Sequence, residues 1–223
     1  GTGAGGYNDN TESFVAWQWL AGGGAGSSNT VGSTNTITTT VNTTAGISIG
    51  TYTGTGSVAT IGHGLGVAPG FITVKELDDG VAQWITYHVG NNVPRAAEDG
   101  YLAFNESQGG NDNATAWNDT APTSTVFTIG TQDDVNDPGN TYVCYVFAEI
   151  EGFSRFFNYL GNGSADGPFV YTGFKPAFVI IKAAQATGDW VIYDSQRSPY
   201  NEIDDQLLVN EATAETTGSE EID

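Results

Sequence analysis

Short apolar runs bounded by turn residues recur along the chain, and none carries a convincing helical period. Phe71-Ile-Thr-Val74 and Phe178-Val-Ile-Ile181 are rich in β-branched and aromatic residues, with Pro before each and Lys directly after; both predict core strands. In Val15-Ala-Trp17-Gln-Trp19 one parity is bulky, and Val143-Cys-Tyr145-Val-Phe147 repeats that alternation. Residues two apart share one face of a strand, so Val143, Tyr145 and Phe147 are expected to face a core. Turns are marked by Asp78-Asp79-Gly80, Gly109-Gly110-Asn111-Asp112 and Thr187-Gly188-Asp189. Closely spaced strands between such turns predict an all-β chain of tandem β-sandwich-like modules.

The pattern also repeats itself. Tyr52-Thr-Gly-Thr-Gly-Ser57 matches Tyr159-Leu-Gly-Asn-Gly-Ser164, and Pro69-Gly-Phe71 through Lys75 matches Pro176-Ala-Phe178 through Lys182, both at an offset of 107. Trp84-Ile-Thr-Tyr87 matches Trp190-Val-Ile-Tyr193 at 106, and Leu102-Ala-Phe-Asn105-Glu106 matches Leu207-Leu-Val-Asn210-Glu211 at 105. The expected organisation is a first module over 47–152 and a second, incomplete copy over 153–223. Residues 1–46 would then hold a stray strand and a Gly/Ser/Thr-rich connector, with Gly22–Thr34 a flexible loop and Ser33–Ala45 extended. The second copy has no partner for Asp119–Phe147. Phe14–Trp19 resembles Tyr142–Phe147 at an offset of 128, and the turns before them, Tyr7–Asn10 and Val135–Pro138, also correspond. Phe14–Trp19 therefore has the pattern of the strand missing from the second copy. Supplied by a neighbouring subunit, it would build filaments; supplied by the same chain, it would close the unit. A third possibility is that sequence upstream and downstream completes both modules. The chain opens on Gly1 rather than Met, which implies that something upstream was removed or left out.

Composition narrows the function classes. At 39% hydrophobic residues, the 223-residue chain can bury a real core, but only 14% of it is charged, against roughly 25% in an average domain. Its polar surface must come from Thr, Ser, Asn and Gly. The net charge of −20, from 26 acidic and 6 basic residues, argues against nucleic acid, which needs Lys and Arg clusters. It would also be repelled by an anionic membrane. Solubility in salty water and Ca²⁺ binding are the two readings of the acidity. No apolar run approaches the ~18 residues of a membrane helix, so no membrane insertion is expected. Cys144 is the single cysteine and is expected to be a buried, inert thiol.

Three segments carry a family resemblance: Ile61-Gly-His63-Gly-Leu-Gly-Val-Ala-Pro69 with its following strand, Tyr142-Val-Cys-Tyr-Val-Phe-Ala-Glu149-Ile-Glu-Gly-Phe-Ser154, and Gly161-Asn-Gly-Ser-Ala-Asp-Gly-Pro-Phe-Val-Tyr-Thr-Gly-Phe174-Lys-Pro176. Together they resemble a repeated β-rich domain family of tail-fibre-like and virion structural proteins of tailed bacteriophages, marine phages especially. The resemblance spans about Phe14 to Asp223. It implies an extracellular virion component whose partners are copies of itself, other virion proteins, or a host-surface glycan or receptor. It carries over no catalytic residues.

The candidate chemistry is sparse. His63 and His88 do not recur in the second copy, and neither has a nucleophile or orienting partner nearby in sequence. Gly62, Gly64 and Gly66 lack a following helix and a Lys-Ser/Thr pair, so they predict a turn rather than a phosphate loop. Glu106 and Glu211 recur but suit solvated turns. Trp84/Trp190 and Tyr87/Tyr193 would stack on sugars if exposed, although repetition in both copies fits core packing better. Lys75 and Lys182 are expected to face water. Asp133-Asp134-Val-Asn136-Asp137 is the metal candidate: Asp133, Asp134 and Asp137 offer the hard oxygens Ca²⁺ prefers, but Asx residues before Pro-Gly also form metal-free turns. The reading is non-enzymatic: a virion structural protein, with a self-polymerising extracellular filament or adhesin, or a fibre-borne glycan depolymerase, as alternatives.

Overall fold

The structure, a computed structural model, describes residues 14–23, 26–34, 37–92, 94–164 and 166–222. Strands take 34% of the residues and helices 6%, so the fold is all-β. The strands are β1 (Ser27–Asn29), β2 (Ile37–Asn42), β3 (Ile47–Thr53), β4 (Ala59–Gly62), β5 (Phe71–Glu76), β6 (Ile85–His88), β7 (Gly100–Ala103), β8 (Asn111–Asp112), β9 (Val126–Ile129), β10 (Thr141–Phe147), β11 (Phe178–Ile181), β12 (Val191–Asp194), β13 (Ile203–Leu208) and β14 (Thr216–Ile222). Two one-turn helices, α1 (Ala114–Trp117) and α2 (Asp133–Asn136), interrupt them.

An antiparallel sheet in the order β1-β2-β3-β10-β5-β6-β7-β8 forms the first module. Its inner face is covered by the β4–β9 ribbon and by Trp117 of α1 and Val135 of α2. The segment expected to be a connector is therefore part of the module. The Thr-rich run supplies β2, which pairs with β3 from Thr38↔Thr51 to Asn42↔Ile47, and the Gly/Ser loop contains β1. Alternating Thr methyls and hydroxyls suit a half-buried pleat, so this low-complexity stretch pairs rather than spans. The Tyr7–Asn10 turn lies outside the described residues.

The parity of β10 is opposite to the expected one. Tyr142, Cys144 and Val146 are the buried set, each at most 1% exposed, while Val143, Tyr145 and Phe147 are half-buried on the outer face. Tyr142 stacks on Tyr52 at 5.1 Å inside the core. The bulkier parity faces outward because that face is covered too: Tyr145 stacks on Trp84 at 6.1 Å, and Phe147 meets Phe71 edge-on at 5.9 Å. Phe71 and Phe178, expected in the core, are half-buried on this aromatic layer as well.

The repeat is realised as structure. β5-β6-β7-β8 is matched by the second sheet, β11-β12-β13-β14, in the same order and sense. Phe71↔His88 and Val74↔Ile85 become Phe178↔Asp194 and Ile181↔Val191; Ile85↔Ala103 becomes Val191↔Leu208. Side-chain bonds recur too. Asn105 Oδ1 accepts from Trp84 N at 2.9 Å, and Asn210 Oδ1 accepts from Trp190 N at 2.8 Å.

The two repeats share the outer aromatic layer. Trp190, 2% exposed, sets its ring edge-on to Phe104 at 4.9 Å and donates from Nε1 to Ala103 O at 2.9 Å. The joining segment runs close to the first sheet: a Cβ on Gly90 would lie 2.7 Å from the Phe157 backbone, and one on Gly70 2.8 Å from the Phe156 ring. Only glycine permits that approach.

Asp194 replaces His88 of the first copy but holds the same turn. His88 Nδ1 accepts from Gly90 N, and Asp194 Oδ1 accepts from Gln196 N. Burial opposes ionisation of Asp194, but hydrogen bonds from Arg197 Nε at 2.7 Å and from the N–H groups of Arg197 and Gln196 outweigh it and hold its pKa below the usual carboxylate value. A carboxylate with a depressed folded pKa stabilises above its unfolded pKa of about 3.9 and loses that contribution as pH falls through the folded value. Acid unfolding of the second repeat should therefore begin below about pH 4. Asp194→Asn should cost about 1.5–3 kcal/mol at neutral pH and flatten that acid limb; an unchanged limb in the variant would contradict the assignment.

Candidate functional site

Several residues singled out from the sequence have structural partners. His63 is 1% exposed; its Nε2 lies 3.1 Å from Thr123 O and its Nδ1 accepts from Leu65 N, so the ring pins the glycine turn. Gly64 and Gly66 have φ of 72° and 79° in that turn. His88 lies edge-on to Phe71 and Phe156, and burial lowers its pKa to about 4. Cys144 is 1% exposed, with its pKa raised to about 12 by burial, so its thiol stays protonated at neutral pH. Glu106 is half-buried and Glu211 exposed.

Lys75 and Lys182 do not simply face water. Lys75 Nζ donates to Glu76 O and Asp79 O, both at 2.8 Å, closing the β5–β6 turn. Lys182 Nζ donates to Ala183 O at 2.9 Å and to Ser107 O of the first repeat at 3.3 Å. Tyr87, Trp190 and Tyr193 are buried, and Trp84 is half-buried under Tyr145. The three buried rings cannot stack on a sugar, and Trp84 is partly covered by Tyr145.

The acidic run is a helical turn rather than a cation loop. Asp133 is exposed and gives its backbone carbonyl to the Tyr142 hydroxyl. Asp134 accepts from Gln83 N at 3.0 Å and from Gln132 Nε2 at 3.2 Å, and Asp137 accepts from Asn140 Nδ2 at 2.9 Å. Among the described residues, no group of three or more acidic, His or Cys side chains is arranged to hold a metal. The Asp134 and Asp137 carboxylates are instead taken up by separate partners, Gln83 and Gln132 for one and Asn140 for the other. Thermal melting in excess Ca²⁺ and in chelator is expected to give the same Tm; a rise of several degrees with Ca²⁺ would restore the metal site.

Sequence reasoning took Asn136 in the same run only as part of the metal candidate and overlooked its structural role. It is fully buried: Oδ1 accepts from Thr55 N at 2.7 Å, and Nδ2 donates to Ser57 O at 2.7 Å and Gly130 O at 2.6 Å. Asn105 and Asn210 were overlooked as well, although both recur in the repeat.

Large apolar side chains remain exposed in both repeats and near the chain's front, the most exposed of them mainly in the second repeat. Leu160, Phe169, Tyr171 and Tyr200 are 72–93% exposed. The outer side of β11 has no hydrogen-bonded strand among the described residues. An open cleft of about 540 Å³ lies between the repeats, lined by Pro94, Arg95, Gly110, Ala184 and Gln185. Both ion pairs among the described residues belong to Arg197, and Arg95 Nε is buried without a hydrogen-bond partner.

A family model described as Domain of unknown function (DUF7483) matches residues 1–223. The chain belongs to this family. No curated protein and no solved structure matches it. The described residues of this DUF7483 chain present exposed apolar side chains and an open sheet edge. No helix among the described residues is long and apolar enough to cross a membrane.

Proposed function

We propose that this chain is a virion structural protein of a tailed bacteriophage, a tail-fibre, appendage or surface-decoration subunit that works by non-covalent assembly and host-surface contact. The observation that carries the reading is the tandem four-stranded unit, repeated in register and joined through a shared aromatic layer. Such a unit suits a stiff spacer that displays loops. The three segments that resemble virion proteins add the setting. Phe169, Tyr171 and Tyr200 lie in second-repeat loops and are exposed, so they replace the half-buried Trp84 and the buried Trp190 as candidates for stacking on a host glycan or receptor. The surrounding negative charge keeps copies apart until a specific contact forms.

Immunogold labelling of purified particles with antibody against the chain tests this reading. Label on tails, fibres or the capsid surface is the expected result. Label on cell-borne filaments alone would overturn it in favour of an adhesin. Depolymerisation of host polysaccharide by the purified chain would overturn the non-enzymatic mechanism.

A further inference from the structure

We propose that Phe14–Trp19 is the strand that covers the open edge of β11, docked from within the same chain in the place that β10 takes beside β5. In the first repeat, the edge of β5 opposite β6 is paired with β10 from Tyr142↔Glu76 to Phe147↔Phe71. β11 is the counterpart of β5, and its corresponding edge has no hydrogen-bonded neighbour among the described residues. Phe14–Trp19 has the alternation of Tyr142–Phe147, which places Trp19 where Phe147 stands.

The expected N-terminal strand is not formed in the structure, where Phe14–Trp19 is irregular and makes no backbone hydrogen bond to β11, but its rings already lie against that strand. Trp19 meets Phe178 at 5.5 Å and 78°, and Phe147 meets Phe71, the counterpart of Phe178, at 5.9 Å and 71°. Trp17 also packs on Phe178 at 5.6 Å. The segment is anchored in its own chain: Leu20 O accepts from Asn42 Nδ2 at 2.9 Å, and a Cβ on Gly22 would lie 2.7 Å from Val41 O of β2. Trp19 touches Phe147 as well, at 6.2 Å, so it bridges the two repeats.

The register follows from the repeat: Trp19 opposite Phe178, Gln18 opposite Val179, Trp17 opposite Ile180 and Ala16 opposite Ile181. Neither Phe14–Trp19 nor Phe178–Ile181 contains a charged residue, so the pairing escapes the repulsion expected elsewhere in a chain of net charge −20. An unpaired, uncharged strand edge is a template for pairing with other chains. The N-terminal segment would act as a plug on that edge. The pairing does not depend on the virion reading.

The test uses the full chain carrying Gln18→Cys and Val179→Cys, which keeps all three rings in place; Cys144 stays buried. Mild oxidation is expected to give a disulfide within a monomer. A disulfide that forms only between chains would overturn docking in cis and make the plug a swapped strand, and no disulfide at all would overturn the pairing. A second measurement is amide exchange of Phe178–Ile181 in a Trp17→Ala/Trp19→Ala variant. Exchange about tenfold or more faster there, with β5 unchanged, is expected alongside a shift from monomer to larger species at high concentration. Unchanged exchange in β11 would overturn the proposal.

Discussion

Replacing Asn136 by alanine is expected to cost the first module about 3–5 kcal/mol, among the largest single-residue effects in the chain. The amide sits at 0% exposure and links three backbone groups from two segments: Thr55 N and Ser57 O of the β3–β4 turn, and Gly130 O after β9. Truncation leaves Thr55 N and the buried Gly130 O without that partner and Ser57 O with only Thr55 Oγ1 at 2.9 Å, and an orphaned buried group costs about 1–3 kcal/mol. Asn136→Asp should be at least as damaging, since it keeps the acceptor for Thr55 but loses both donors and adds a buried charge. Asp133→Asn and Asp137→Asn, on the same turn but less buried, should stay within about 1 kcal/mol of the parent. Urea denaturation followed by tryptophan fluorescence measures all four. An Asn136→Ala variant as stable as the parent would show that the amide does not hold the β3–β4 turn to α2.

Trp190→Ala should cost a similar amount, about 3–5 kcal/mol, but on the contact between the repeats. The ring is 2% exposed, lies edge-on to Phe104, and donates from Nε1 to Ala103 O. Its removal leaves a cavity at the point where the second sheet rests on the first, and Ala103 O keeps only Glu106 N, at 3.2 Å. The expected calorimetric result is two separated transitions, the lower one from the second repeat. Trp190→Phe keeps a ring but loses the donor, and should fall between parent and alanine. Trp84→Ala is the internal control: Trp84 occupies the same place in the repeat, but it is half-buried and packs on Tyr145 within its own sheet. It should cost less and leave one transition. Two transitions of equal depth in both variants would mean that Trp190 does not couple the repeats.

Fold class and repeat were legible because each rests on local pattern. Between β5 and β6, and again between β6 and β7, the offset between copies falls by one residue, and each step lies in a turn. Inside a strand, a one-residue slip would turn every side chain to the other face, so the matched blocks had to retain register, and they do. The sign of the β10 alternation was not legible. Period two says which residues share a face but not which face is the deeper one, and this sheet is covered on both. The Thr-rich run is another such case, because the same residues serve a connector or a strand until β3 is beside them. In the acidic run the sequence could not say which side chain goes inward: it is the neutral Asn136, while Asp134 and Asp137 bind Gln83, Gln132 and Asn140.

By itself, then, the amino-acid order determined an all-β chain, two copies of one strand order and the register within them, since these follow from short-range periodicity. Which face is core, which asparagine is irreplaceable, and that Trp17 and Trp19 meet Phe178 from the far end of the chain were decided only by tertiary packing. Each depends on what a distant segment places against a residue, and no local pattern records that.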